Sequence, residues 1–382
     1  MTEITAEMTS EVAEGSIAWI PLLIRQHNVQ RIFLVLDETA YEQSGARGFL
    51  EPVFDQLKTS RFTQFALNPK LQDVERGVEQ FRSFAPDWVL ALGGGTAIDL
   101  GKLIGSLASQ SASPRDLVTG RASLESQGRP LVAIPTTAGT GSEATHFAVV
   151  YVEGQKYSLA HHWLLPEFSI VDPSLTHSLP RALTAATGLD AFCQAIESIW
   201  AVGATDESLG YATEAARLAI ANLSAAVNQP SPASRRAMCQ ASHLSGKAIN
   251  ISKTTASHAL SYPLTSRHNI AHGPAVALTL SPMLAYNARV SDADCTDPRG
   301  AAHVGERIAT IIELLGANSV SEACARIEGI VSSVGCPTSL SVAGVSGAKE
   351  LAEWIGEANT ERMANNPRQT SPEALIELLS QF

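Results

Sequence analysis

The pattern of apolar residues changes character once, near residue 180, and no single layer of structure accommodates both halves. Before that point short runs rich in Val, Ile and Leu read as strands: RIFLVLD (31–37), TQFALN (63–68), DWVLALGGG (87–95), PLVAIPTT (130–137) and FSIVD (168–172). Helical stretches such as VERGVEQFRSFA and TAIDLGKLIGSLAS lie between them. Strands alternating with helices predict a largely parallel α/β sheet with its ligand edge where the strands end. Beyond Pro180, segments such as SLPRALTAATGLDAFCQAIESIW, DESLGYATEAARLAIANLSAAV and GPAVALTLSPMLAYNARV carry helical spacing and almost no strand signal. The expectation is an α/β domain over 1–179 and an all-helical domain over 180–382, in keeping with a chain of 382 residues. The Ala, Ser and Gly content of 237–250 predicts close helix packing.

Bulk properties narrow the partners. A net charge of −11 argues against nucleic acid as the main ligand, because phosphate backbones need basic surface. A small anionic substrate stays compatible, since a pocket can be locally positive on an acidic protein. Five scattered cysteines without a CxxC pair suit a reducing compartment better than a disulfide framework. The acidic start, MTEITAEMTSEVAEGS, has no apolar stretch, and no run reaches the roughly 18 apolar residues of a membrane span. A cytoplasmic protein without membrane partners is expected.

Two segments of the first half suit a dinucleotide. Gly93-Gly94-Gly95-Thr96 follows a strand and opens a helix that continues through Asp99 and Lys102. Glycines let the backbone approach a phosphate, and the helix start offers N–H donors and a positive dipole end. The same string also serves as a plain tight turn, and it is neither a GxGxxG fingerprint nor a Walker loop. PTTAGTGSEAT (135–145) adds a second loop of hydroxyls and glycines after a strand. Asp37 ends the first strand, where a carboxylate either caps the next helix or accepts bonds from an adenosine ribose, favouring NAD over NADP.

The second half offers metal donors. Asp190 and Gln194 are four apart in a helical pattern and so share a face. Glu197 shares it too; it is easily mistaken for a ligand and can equally cap or pair locally. His258 lies in TTASHALSY, and His272 stands just before Gly273-Pro274, where a new helix starts. A carboxylate, an amide oxygen and two imidazoles form a set able to hold a divalent metal.

These segments together resemble the iron-dependent, or group III, alcohol dehydrogenases. The resemblance rests on EGS at Gly15, GGGTAID, PTTAGTGSEAT, IVDPSL with a following LP, GLDAFCQAIES, SHALSYPL, HNIAHG and NNPR (365–368), in family order over nearly the whole chain. It implies a Rossmann-like dinucleotide-binding α/β domain, a helical metal domain of the dehydroquinate synthase-like architecture, an active site in the cleft between them, and a homodimer. By position it makes Asp190, His258 and His272 metal ligands, with Gln194 where the usual pattern has a third His. It places Asp37, Asn68, Gly94, Gly95, Thr96, Asp99, Thr136, Thr137, Thr140 and Lys156 near the cofactor. Tyr262 stands where many members have a further His beside the nicotinamide, and its phenol or the nearby His268 is the candidate proton relay.

The resemblance implies hydride transfer between a nicotinamide and a carbonyl polarised by Fe²⁺, with Zn²⁺ as the alternative metal. An amide oxygen at Gln194 is a poorer ligand than imidazole and predicts a weakly held, exchangeable metal. HALSYPLTSRHNIAHG resembles the branch that includes phosphonoacetaldehyde reductases, which interconvert phosphonoacetaldehyde and 2-hydroxyethylphosphonate. Arg267, with the hydroxyls of Thr265 and Ser266, suits a phosphonate, phosphate or carboxylate. Competing readings are a general short-chain alcohol dehydrogenase, a metal-independent maleylacetate-type reductase, and an assembly or regulatory protein that binds NAD without turnover. NAD(H) is favoured by Asp37, and NADP(H) is not excluded.

Overall fold

The computed structural model describes Ile4 and residues 11–268, 270–344, 348–356 and 358–380. Within these, the side chains of Ser266, Arg267 and residues 348–350 lie outside the description. The chain divides into two compact units, Met1–Leu179 and Pro180–Phe382.

The first unit carries a five-stranded parallel sheet. Its strands are β1 (Arg31–Leu36), β2 (Lys58–Phe62), β3 (Trp88–Gly93), β4 (Leu131–Pro135) and β7 (Phe168–Ser169), in the order β2-β1-β3-β4-β7. Alternation along the strands feeds two cores. Ile32, Leu34, Leu36, Leu90 and Leu92 face one side, whereas Phe33, Val35, Val89 and Ala91 face the other. Helices Leu71–Phe84 and Gly95–Leu107 cover the second face. Gly101 lets the latter lie flat on β3, since a Cβ there would stand 2.6 Å from that of Ala91. The strand order reverses between β1 and β3, and the crevice beyond their carboxyl ends is where such sheets bind ligands. Asp37 and Gly94 sit at those two ends.

Two expectations need correction. The second strand lies at Lys58–Phe62, not over 63–68. Its side chains are largely polar, because an edge strand needs only main-chain pairing with β1 and one buried anchor, Phe62. The apolar run after it is loop, with Leu67 81% exposed and Asn68 in the left-handed region at φ 62°. The strand reading also passed over an antiparallel hairpin that forms a second, two-stranded sheet: β5 (Phe147–Val152) and β6 (Gln155–Ala160). Glu153 and Gly154 turn it with φ of 52° and 83°, both left-handed, as a tight hairpin requires.

The second unit consists of helices Arg181–Trp200, Asp206–Asn228, Pro232–Ser252, Ala256–His268, His272–Asn287, Ala301–Leu314, Val320–Ser333, Ala348–Gly356, Thr360–Ala364 and Pro372–Leu379. Small residues on Pro232–Ser252 (Ala241, Ser242, Ser245 and Ala248) are buried where it packs on the first two helices. The NNPR string works as a clamp. Asn365 Nδ2 donates to the carbonyls of Ser252 and Thr254, and its Oδ1 accepts from Gly203 N. Arg368 ties Asp294 and the Tyr286 carbonyl. No helix among the described residues is long and apolar enough to cross a membrane.

Candidate metal centre and cofactor cradle

Three helices bring the metal donors together. Asp190 lies midway along Arg181–Trp200, His258 in the first turn of Ala256–His268, and His272 at the first position of His272–Asn287. Their ligand atoms all lie within 4.8 Å of one another. Asp190 Oδ1 is 3.4 Å from His258 Nε2 and 3.8 Å from His272 Nε2. The two rings meet edge to face at 5.4 Å. Gly273 makes this approach possible: a Cβ there would overlap the Ala186 carbonyl oxygen and stand 2.8 Å from the Asp190 amide nitrogen.

The other nitrogen of each imidazole is also engaged. His258 Nδ1 meets the Glu197 carboxylate, which is fully buried. Burial alone would push the His258 imidazole down, but the carboxylates of Glu197 and Asp190 outweigh it and raise it to about 9. Burial pushes Glu197 up, yet His258 and the Thr255 hydroxyl hold it below the usual carboxylate range. His272 Nδ1 lies 3.4 Å from Ser261 Oγ, whose proton goes to the His258 carbonyl at 2.8 Å. Both rings therefore present Nε2 to one point beside a carboxylate. That donor set fits a divalent cation, and two imidazoles with one carboxylate suit Fe²⁺ or Zn²⁺. The side chains of Asp190 and His258 are 4% and 5% exposed and that of His272 is 35% exposed, so the cluster opens on the His272 side.

Gln194 stands one turn beyond Asp190, buried, with its amide oxygen accepting from Ser245 Oγ at 3.0 Å. Cys193 packs in the core, and burial, with the charges of Glu197 and Asp190, pushes its thiol well up. Ser261, Tyr262 and Thr265 follow His258 at three, four and seven residues and so share its helix face. The Tyr262 ring stacks near His272 at 6.2 Å. Thr265 Oγ1 is buried without a hydrogen-bond partner among the described residues. His268 ends the same helix, ten residues and about 15 Å of rise beyond His258. The side chains of Ser266 and Arg267 lie outside the described residues.

The cradle of the first unit is built differently. Gly94 is the N-cap of Gly95–Leu107, and Gly93 before it has φ 148°. A Cβ at Gly93 would stand 2.8 Å from those of both Ala97 and Asp37. A Cβ at Gly94 would touch Thr137, and one at Gly95 would lie 2.8 Å from Thr140 Cγ2, so the threonine loop lies directly against the glycine turn. Thr96 Oγ1 accepts from Asn68 N at 3.3 Å. Thr136 is bonded to the Gly93 carbonyl through its amide, and its buried Oγ1 has no partner among the described residues. Asp37 Oδ1 accepts from Ala40 N and so caps the Glu38–Gln43 helix.

Asp99 and Lys102 fasten that loop. Ser142 Oγ and Val149 N donate to the two oxygens of Asp99 at 2.5 and 2.9 Å. Burial raises the Asp99 carboxyl, against the charges of Lys102 and Lys156 (on β6) and these two bonds. Lys102 Nζ donates to the Thr145 carbonyl, its hydroxyl and the Phe147 carbonyl at 2.8–2.9 Å. Sequence reading missed the part played by Lys102 here, and it left Glu197 open. The signal available for each was a charged residue inside an otherwise apolar helical string.

Comparison with known proteins agrees with this layout. Residues 10–173 match the family described as iron-containing alcohol dehydrogenase, and residues 184–382 match the C-terminal part of the Fe-containing alcohol dehydrogenase family. A phosphonoacetaldehyde reductase of Streptomyces viridochromogenes is 35% identical over 311 residues, 79% of this chain and 78% of that protein. Long-chain-alcohol dehydrogenase 1 of Geobacillus thermodenitrificans is 37% identical over 295 residues, 74% of this chain and 71% of that protein. Among solved structures, a sulfoacetaldehyde reductase of Bifidobacterium kashiwanohense in complex with NAD⁺ superposes with a TM-score of 0.87. It is 28% identical and covers 100% of this chain and 98% of its own.

Proposed function

The chain belongs to the iron-containing alcohol dehydrogenase family, and from that premise we propose that it reduces an aldehyde carrying an anionic group, phosphonoacetaldehyde foremost, to the alcohol with NADH. It is an oxidoreductase acting on CH–OH groups, so the reading as a non-catalytic assembly protein falls away. The observation that carries the proposal is the meeting of Asp190, His258 and His272 within 4.8 Å, beside a helix face that continues through Tyr262 to Thr265.

Asp190, His258 and His272 would hold a divalent metal, which when bound would supply Lewis-acid polarisation of the substrate oxygen, with the hydride coming from the nicotinamide. Fe²⁺ is the proposed metal, with Zn²⁺ compatible with the same donors. Gln194 takes the place of a weak fourth ligand, which makes the site exchangeable. Tyr262, whose ring lies 6.2 Å from that of His272, is the proposed proton relay at the substrate oxygen. His268, farther along the helix, is the alternative relay. Thr265 Oγ1, buried without a partner among the described residues, is proposed as a donor for an acidic head group, and Ser266 and Arg267 follow it in sequence. At the other end, the N–H groups of Gly95 and Thr96 and the hydroxyls of Thr136, Thr137 and Thr140 would hold the pyrophosphate. Asn68, Asp99 and Lys156 line or brace that cradle. Asp37 would accept from the ribose and turn away a 2′-phosphate, favouring NAD. The dinucleotide unit is taken as 1–179, the metal unit as 180–382, and the working form as a cytoplasmic homodimer.

Two relatives name acetaldehydes that bear an acidic group, one phosphonate and one sulfonate, which supports an anionic substrate. The long-chain alcohol dehydrogenase at 37% identity favours a second reading with a neutral substrate. Measuring kcat/KM for phosphonoacetaldehyde, sulfoacetaldehyde and butyraldehyde, in wild type and Arg267→Ala, separates them. The anionic reading expects a preference of about 100-fold for an acidic aldehyde and a KM rise confined to it in the variant. Equal rates on butyraldehyde, or equal loss on all three, would sink it.

A further inference from the structure

We propose that Glu197 is a positioning residue of the metal centre: its carboxylate fixes the His258 imidazole so that Nε2, and not Nδ1, faces Asp190 and His272. The inference rests on the reading of Asp190, His258 and His272 as a metal site. It concerns a residue outside that donor set.

Glu197 stands seven residues after Asp190 on one helix, two turns and about 10 Å of rise away on the same face. The ligand carboxylate and the orienting carboxylate therefore point to the same side from a single rigid element. Glu197 is fully buried. A carboxylate so placed is costly unless hydrogen-bonded, and here donors surround it. Oε1 accepts from Thr255 Oγ1 at 2.7 Å, from Thr255 N at 3.2 Å and from His258 N at 3.3 Å. Oε2 is left for His258 Nδ1.

The direction of this chain of bonds is settled by its far end. Trp200 Nε1 can only donate, and it donates to Thr255 Oγ1 at 2.8 Å. That indole bond leaves the hydroxyl proton of Thr255 free to go to Glu197, as the 2.7 Å bond requires. An ionised carboxylate then has only acceptor capacity for the imidazole. His258 must keep a proton on Nδ1, so Nε2, which faces Asp190, is the nitrogen that gives up its proton when a metal binds. A fixed tautomer and a fixed ring are what a ligand histidine needs before a metal arrives. The Asn365 clamp adds to this by tying the carbonyls of Ser252 and Thr254, immediately before Thr255.

The test uses the full chain stripped of metal, with Zn²⁺ affinity measured by competition against a chromophoric chelator. Wild type, Glu197→Gln and Thr255→Val are compared, each with a thermal unfolding curve of the metal-free protein. Glu197→Gln keeps the volume but sets an amide nitrogen among the donors, and should weaken Zn²⁺ binding by about 10- to 100-fold. Thr255→Val loosens the brace but leaves Oε2 to His258, and should weaken binding by less than about 3-fold. Glu197→Gln within about twofold of wild type overturns the proposal, as does Thr255→Val matching Glu197→Gln, which would make Glu197 a brace only. If Glu197→Gln fails to fold, ¹⁵N-histidine spectra of Zn²⁺-loaded wild type decide. A His258 ring protonated at Nδ1 and ligated through Nε2 supports the proposal, and the reverse overturns it. Wild type that binds no Zn²⁺ at all sinks the metal site itself, a separate outcome.

Discussion

At the end of β3 the proposed cofactor cradle is made mainly of backbone: Gly93 at φ 148°, Gly94 as N-cap, and a threonine loop lying against them. In the helical unit the proposed metal centre is made of side chains, one carboxylate and two imidazoles from three helices spread over 83 residues from Asp190 to His272. Both are nonetheless held from behind in the same manner. Asp99 and Lys102 fasten the threonine loop, and Glu197 with Thr255 fastens His258. The contrast teaches that a backbone site is built from short contiguous runs, whereas a side-chain site is assembled residue by residue through packing, and that both are held by buried, hydrogen-bonded side chains.

Three substitutions break or sharpen that contrast. The largest effect is expected from Asp190→Asn, which removes the anionic ligand and leaves the cradle untouched. Reductase activity should fall by about 10³-fold with loss of bound metal, while the dissociation constant for NADH moves by less than about twofold. A comparable loss of NADH binding would mean that the two sites are not independent. Gly273→Ala comes next, because it asks whether the side-chain centre also depends on bare backbone. The new methyl overlaps the Ala186 carbonyl, so the helices must part, at a cost of about 1–3 kcal/mol in urea unfolding and with weaker metal binding. An unchanged unfolding midpoint would show the crossing to be looser than drawn.

The smallest effect concerns the fastener of the cradle. Burial pushes Lys102 down from 10.5 to about 8, against the pull of Asp99 and Glu143. Between these values the unfolded chain binds the extra proton and the folded chain does not, so stability contributed by this group rises with pH from about 8 to 10.5. Below pH 8 both forms are charged and the slope vanishes. Unfolding in urea at pH 7.5 and 9.5 should therefore show a rise in wild type that is missing in Lys102→Met. The same slope in both proteins would assign it to another group.

Much of the fold was legible because periodicity is a local property. The parallel strands, the helix after Gly94 and the switch to helices near Pro180 all follow from patterns a few residues long. The second strand was misplaced because Lys58–Phe62 sits at the sheet edge, where main-chain pairing substitutes for apolar alternation. The β5–β6 hairpin was missed although Glu153-Gly154 is a fair turn signal, since its exposed second strand is nearly as polar as a loop. Candidate ligands could be picked out one by one, but nothing in the spacing said that His258 and His272 would meet Asp190.

The sequence by itself determined the two-part plan, the glycine turn and the residue types able to bind a metal, because each is written within one element. Only the tertiary structure decided that Asp190, His258 and His272 converge, that Gly273 lets two helices touch there, and that Glu197 orients a histidine instead of joining the ligands. Those outcomes depend on helix crossings and on the direction of hydrogen bonds between residues some 60 positions apart. Burial then fixes them, since a carboxylate removed from water must find its donors wherever packing has placed them.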